Sequence, residues 1–279
     1  MKIAFAGKGG AGKTSMAAWL GDHLARRGES VWLVDADTAL SLGQASGLDP
    51  SALPAPLAER EDIIRSHIGQ GYMSLNPDVS HLPETLSVEL PLGGPALPGV
   101  QPGQKRLLVM GAIGGEGGCA CAANALLKAV LAHLILDRRE WVLVDMEAGV
   151  EHLGRGTVAD VDALVVVSEP SLRALSTASE ISRLARGLGL SRQMLALNRC
   201  DAQEAPPAHL DLPKHMLRVP MLKGLKQRQL STGSVLGLPE EALVSALCDE
   251  LLICLCGHSN APSLLQNAGV AVPAAHQSP

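Results

Sequence analysis

Eight consecutive residues, Gly7-Lys8-Gly9-Gly10-Ala11-Gly12-Lys13-Thr14, have the composition and spacing to bind a polyphosphate. In this G-x-x-x-x-G-K-[ST] pattern the glycines let backbone N–H groups turn inward around phosphate oxygens, and the following helix adds the partial positive charge of its N-terminus. Lys13 would neutralise the outer phosphates and Thr14 would place its hydroxyl on Mg²⁺, with Ser15 next in line. Lys8 is a surplus charge that an ordinary phosphate loop does not need. Carboxylates close two apolar runs, Val34-Asp35-Ala36-Asp37 and Val142-Leu143-Val144-Asp145. Both would emerge at the carboxyl edge of a parallel sheet, where ligands bind.

Thiols form a third constellation, in Gly117-Gly118-Cys119-Ala120-Cys121, directly before a helical pattern. Two cysteines two apart diverge by about 200° on a regular helix, so they can share an ion only from a loop. Thiolates approach such an ion at about 2.3 Å, and a helix N-terminus favours the deprotonated form. A closed tetrahedral site needs four ligands, which a two-fold dimer would supply by presenting Cys119 and Cys121 twice. Two small packed thiols at a helix start remain the plain alternative. Cys254 and Cys256 repeat the spacing, but Leu243, Leu247, Leu251 and Leu255 mark a helical stripe there, on which the two thiols point apart.

These groups need elements to hold them. Apolar runs of strand length occur at Lys2–Ala6, Val31–Asp35, Leu107–Met110, Trp141–Asp145, Ala163–Ser168 and Met194–Asn198. Helical patterns lie between and after them at Ser15–Arg27, Ala122–Asp137, Ser171–Leu188 and Pro239–Cys256. The alternation predicts an α/β fold, a doubly wound, mostly parallel sheet with helices on both faces, and the phosphate-loop pattern after its first strand makes this the P-loop NTPase type. Residues 1–256 should make one domain, Gly71–Gln104 an irregular excursion over the sheet, and 257–279 a loosely ordered tail.

Composition narrows the function classes. Among 279 residues 47% are hydrophobic and 18% charged, and the formal net charge is −5, so no bulk positive field draws the chain to nucleic acid or an anionic membrane. One Phe, one Tyr and three Trp leave little for base-stacking platforms, whereas 29 Gly favour sites built from backbone. Neither a signal-peptide core nor a run of membrane-spanning length is apparent, which predicts a cytoplasmic protein whose six cysteines are thiols or metal ligands.

Lys8, followed by Gly-Gly and then Gly-Lys-Thr, resembles the deviant Walker A signature of the MinD, ParA and nitrogenase iron-protein superfamily. The resemblance implies that Lys8 reaches across a homodimer to the partner's nucleotide, that Asp37 orients or activates the attacking water, and that Asp145 holds the Mg²⁺ shell. It also implies that Asp35 supports the metal site from behind and that Asn198 reads adenine. Within that superfamily, Met110-Gly111, the thiol loop and the run Asp145-Met146-Glu147-Ala148-Gly149-Val150-Glu151-His152-Leu153-Gly154-Arg155-Gly156-Thr157 closely resemble the CooC-type nickel-insertion ATPases of carbon monoxide dehydrogenase. This likeness runs from Met1 to about Asn198; Ala11 and Ser15 stand where that family usually has Val and Thr. It implies a homodimer that binds Ni²⁺ or Zn²⁺ through paired Cys119 and Cys121 and uses ATP to deliver nickel to the dehydrogenase. Two other outputs share the ATPase core. One is an iron–sulfur cluster carrier or electron-transfer ATPase resembling the nitrogenase iron protein, because four thiolates can hold a cluster as well as an ion. The other is a spatial regulator of the ParA or MinD kind, which needs a basic surface or terminal helix, although no Lys or Arg follows Arg228.

Overall fold

All six anticipated strands form, and two more join them. A computed structural model of the chain describes residues 1–68, 78–111, 126, 129–134, 140–146, 161–201, 203 and 205–256. Its strands are β1 (Lys2–Gly7), β2 (Val31–Ala36), β3 (Val88–Glu89), β4 (Lys105–Val109), β5 (Trp141–Met146), β6 (Ala163–Ser168), β7 (Gln193–Asn198) and β8 (His215–Val219). They build one sheet in the order β3-β4-β2-β5-β1-β6-β7-β8. Every neighbouring pair is parallel except β3 with β4.

The helices are α1 (Lys13–Arg26), α2 (Leu42–Ala45), α3 (Glu61–Ile68), α4 (Leu82–Leu86), α5 (the helical residues 126 and 129–134), α6 (Leu172–Gly187), α7 (Lys223–Arg228) and α8 (Glu241–Cys256). Alternate strand residues feed two separate cores, as a two-residue side-chain period requires. Ile3, Phe5, Leu33, Leu143 and Val165 pack against α1 and α8 on one face. Ala4, Val34, Val144, Leu164 and Val166 pack against α3, α4, α5 and α6 on the other. Because both faces are covered, β1, β5 and β6 are buried along their whole length, which explains their unbroken apolar sequences.

Two expectations need correction. The stretch read as an irregular excursion contains α4 and β3, the latter pairing antiparallel with β4. Strand β8 was not anticipated, because Lys214, His215 and Arg218 interrupt its apolar pattern. It lies at the sheet edge beside β7, where exposed polar side chains are tolerated. On α8, Cys248 and Cys256 are buried and Cys254 is half-buried, the divergence that helical geometry demands. Burial raises the thiol pKa of all three, as expected of packing groups rather than ligands. No helix among the described residues is long and apolar enough to cross a membrane.

Candidate functional site

The sheet delivers its chemistry to one edge. Asp35 at the end of β2 stands opposite Asp145 at the end of β5, and Asp145 stands opposite Phe5 of β1, two residues before the glycine loop begins. Both carboxylates have the strand parity of Leu33 and Leu143, so they point to the face that carries α1. The loop after β1 bends where only glycine fits. Gly7 has φ +152°, and a Cβ there would lie 2.1 Å from the carbonyl oxygen of Val167 in β6. Gly12 has φ +106°, and its Cβ would lie 2.3 Å from Nδ2 of Asn198 in β7. Asn198 Nδ2 in turn donates to the Ala11 carbonyl at 2.8 Å, so β6 and β7 together clamp the loop.

Where a phosphate would sit there is room. A Cβ built on Gly9 or Gly10 meets nothing within 4 Å. Gly12 precedes α1 without any side-chain cap, and no acidic residue occupies the first turn, which leaves the N-terminal N–H groups and their partial charge for an anion. Lys13 is buried, with Nζ 3.7 Å from Oδ2 of Asp37. Lys8 is exposed at the loop's outer rim.

Thr14, Asp145 and Ser41 form a connected group, with Asp35 beside Asp145 in the strand register. Thr14 Oγ1 donates to Asp145 Oδ2 at 2.5 Å, and Ser41 Oγ lies 3.4 Å from Thr14 Oγ1. Asp145 is fully buried, and its Oδ1 meets no hydrogen-bond donor among the described residues. Burial pushes its carboxyl up to about 7, against the opposing hydrogen bond from Thr14. A hydroxyl beside a buried, half-satisfied carboxylate is the hard oxygen set that Mg²⁺ prefers, so these residues fit that ion. Asp35, also fully buried, is raised to about 6 by burial, although its carboxylate accepts the N–H groups of Leu42 at 2.9 Å and Asp37 at 3.3 Å. Asp35 thereby anchors the segment that carries Asp37, whose Oδ1 accepts the N–H of Ala39 at 2.9 Å.

Beside the loop lies a cavity of about 260 Å³ lined by Gly12, Ser15, Asn198, Met221, Leu222 and Leu225, among others. Its mostly apolar wall and its position next to the phosphate cradle suit a flat heterocycle. The structure gathers Gly7 through Ser15, Asp35, Asp37, Asp145 and Asn198 at one edge of the sheet. Cys119 and Cys121 lie outside the described residues, as do Glu151 and His152. Among the described residues no group of three or more His, Cys, Asp or Glu side chains could hold a metal ion. Sequence reasoning missed Ser41 and the apolar wall from Met221 to Leu225. The apolar spacing of Met221, Leu222 and Leu225 after Pro220 was the only available signal, and the unrecognised β8 concealed its meaning.

Comparison with known proteins agrees with this geometry. Residues 2–230 match the family model described as the CobQ/CobB/MinD/ParA nucleotide binding domain. The chain is 39% identical over 198 residues to the carbon monoxide dehydrogenase accessory protein CooC of Rhodospirillum rubrum, covering 68% of this chain and 71% of that one. It is also 39% identical over 207 residues to an uncharacterised ATP-binding protein of Methanocaldococcus jannaschii, covering 71% and 75%. Among solved structures, the MinC:MinD cell division complex of Aquifex aeolicus aligns over 99% of this chain and 98% of its own with a TM-score of 0.63 at 17% identity. A ParA family ATPase of Chlorobium tepidum aligns over 90% and 97% with a TM-score of 0.60 at 20% identity, a likeness of fold. The chain is a P-loop ATPase belonging to the CobQ/CobB/MinD/ParA nucleotide-binding domain family.

Proposed function

We propose that this ATPase is a metallochaperone that binds nickel as cargo and uses ATP to deliver it to carbon monoxide dehydrogenase. The observation that carries the reading is the 39% identity to a carbon monoxide dehydrogenase accessory protein, in a chain whose own sequence includes the Cys119-Ala120-Cys121 pair. In this reading the working unit is a homodimer, and Cys119 and Cys121 from both copies hold Ni²⁺ or Zn²⁺ at the seam.

Hydrolysis asks for little covalent chemistry from the protein, because phosphoryl transfer is accelerated mainly by positioning and charge stabilisation. Thr14 and Asp145 would hold Mg²⁺, which when bound supplies charge neutralisation at the phosphates. Lys13 neutralises the outer phosphates from within the chain, and exposed Lys8 does so across the dimer. Asp37 orients the attacking water, and Asp35 acts through it by holding its backbone N–H. Asn198 fixes the loop through Ala11 and faces the cavity that takes the adenine. If nucleotide-driven closure tightens metal binding, metal must tighten nucleotide binding by the same factor. Metal uptake must also release thiol protons. The net charge of −5 favours this reading over one at DNA or at an anionic membrane.

The test is Ni²⁺ and Zn²⁺ titration of the wild type and of Cys119→Ser/Cys121→Ser, combined with analytical ultracentrifugation in apo, ADP and ATP-analogue states. A tightly bound half ion per chain, lost in the double variant, and a dimer under ATP analogue are expected. Equal stoichiometry in both proteins removes the thiols from the account. A single-copy species under every combination of nucleotide and metal removes the dimer. A broad brown absorbance after anaerobic purification would replace single ions by an iron–sulfur cluster.

A further inference from the structure

On the sheet face opposite α1, two histidines outside the nucleotide site meet. His67 lies in the last turn of α3, and His81 immediately precedes α4. Their ring centroids are 5.5 Å apart and their planes are inclined by 35°. Two imidazoles bound to one ion each place their centroid about 3.2 Å from it, given metal–nitrogen bonds of about 2.0–2.1 Å. At a near-tetrahedral angle that corresponds to a centroid separation of about 5–5.5 Å.

The tautomer of His67 is set for ligation. Its Nδ1 lies 2.9 Å from the Ile63 carbonyl oxygen and 3.0 Å from Ser66 Oγ. A carbonyl oxygen can only accept, so Nδ1 carries the proton and the neutral ring offers its lone pair at Nε2. A ring N–H donated to a backbone carbonyl is the usual second contact of metal-binding histidines, because it fixes ring orientation and raises the basicity of the other nitrogen. Two rings merely packed together would be expected to bury each other, whereas His81 is exposed and His67 only half-buried. The Asp78 carboxylate is nearby. Hydrogen bonds from Ser80 hold it below its ordinary range, and His81 and His133 lower it further.

We propose that His67 and His81 form a weak bis-imidazole site for a borderline divalent transition ion such as Ni²⁺ or Zn²⁺. Water supplies the remaining ligands, since among the described residues no group of three His, Cys, Asp or Glu side chains could hold an ion. As a binding site it stands on these two rings alone; as a loading station for cargo it rests on the metallochaperone reading.

The experiment is calorimetric titration of tag-free full-length protein with NiCl₂ in four forms: wild type, Cys119→Ser/Cys121→Ser, His67→Ala/His81→Ala, and all four substitutions together. The cysteine variant should retain one weak Ni²⁺ equivalent per chain, and adding the histidine substitutions should weaken it at least about tenfold, the scale on which metal sites respond to lost contacts. His209→Ala/His215→Ala, which removes two other imidazoles, should leave it unchanged. His67→Gln/His81→Gln provides a second variant in case alanine disturbs α3, with thermal melting as the check on folding. The proposal is overturned if the cysteine variant binds no Ni²⁺ at all, or if its residual binding survives both histidine replacements. The thiol reading fails separately: a cysteine variant that titrates like the wild type defeats it without touching the histidine pair.

Discussion

Asp145→Asn should make the nucleotide-free protein more stable at alkaline pH while abolishing Mg²⁺-dependent ATP hydrolysis. The carboxyl is buried and raised from an ordinary 3.8 to about 7, chiefly by its removal from water. Above pH 3.8 the unfolded carboxyl ionises while the folded one keeps its proton. The folded state therefore binds more protons, and stability falls as pH rises until the folded group also ionises near pH 7. Holding this carboxylate costs the apo protein about 4 kcal/mol above pH 7, about 1–2 kcal/mol at pH 5 and almost nothing below pH 4. Asparagine keeps an acceptor oxygen for Thr14 and cannot ionise, so it escapes that cost. For a domain of this size the gain corresponds to a melting point about 10 °C higher at pH 8. The assay is thermal melting of wild type and variant in EDTA from pH 4.5 to 8.5, each compared with the other at the same pH so that remaining carboxylates cancel. Equal melting points at pH 8, or an advantage that does not shrink towards pH 4.5, would refute the argument that burial of this carboxylate is uncompensated in the apo state.

Other outcomes follow from the same geometry. Lys8→Ala should depress ATP turnover more than tenfold while leaving nucleotide affinity of the monomer nearly intact, whereas Lys13→Ala should harm both; steady-state kinetics with equilibrium binding separates them, and equal mild effects would exclude a trans-acting lysine. Gly7→Ala should destabilise by more than about 3 kcal/mol in chemical denaturation, because its Cβ would meet a backbone oxygen of β6 that cannot move without parting two central strands. Lys105, wholly buried, binds Asp22 at 2.7 Å, and Asp22 also accepts the Gly93 N–H at 2.7 Å. Asp22→Asn should therefore cost about 3–5 kcal/mol by stranding a buried ammonium, and Asp22→Asn/Lys105→Met should recover part of it in the same urea titration.

Much of this molecule was legible without coordinates, because the relevant signals are local. The glycine loop, its lysines and Thr14 form one contiguous pattern, and the buried strands declare themselves by unbroken apolar runs, since helices cover both faces of the sheet. Asp35 and Asp145 could be placed at the binding edge by counting to the ends of those runs. Edge elements were harder to read. β8 and β3 carry polar residues that an edge tolerates, so periodicity fades where tertiary position relaxes it.

What depended on folding is the set of meetings between residues distant in the chain. Gly12 must be glycine partly because Asn198, 186 positions later, occupies the space of its Cβ. Asp145 is held near neutrality by a desolvation that no run of neighbours announces, and Lys105 is tolerable inside only because Asp22 arrives from α1. The His67 and His81 rings likewise meet with centroids 5.5 Å apart, one from the last turn of α3 and the other from just before α4. Sequence alone determined which groups could bind phosphate and metal, because side-chain type and short-range geometry are inherited from the chain. Tertiary structure alone decided which of them share a site and at what proton affinity, because proximity and exclusion of water belong to the fold.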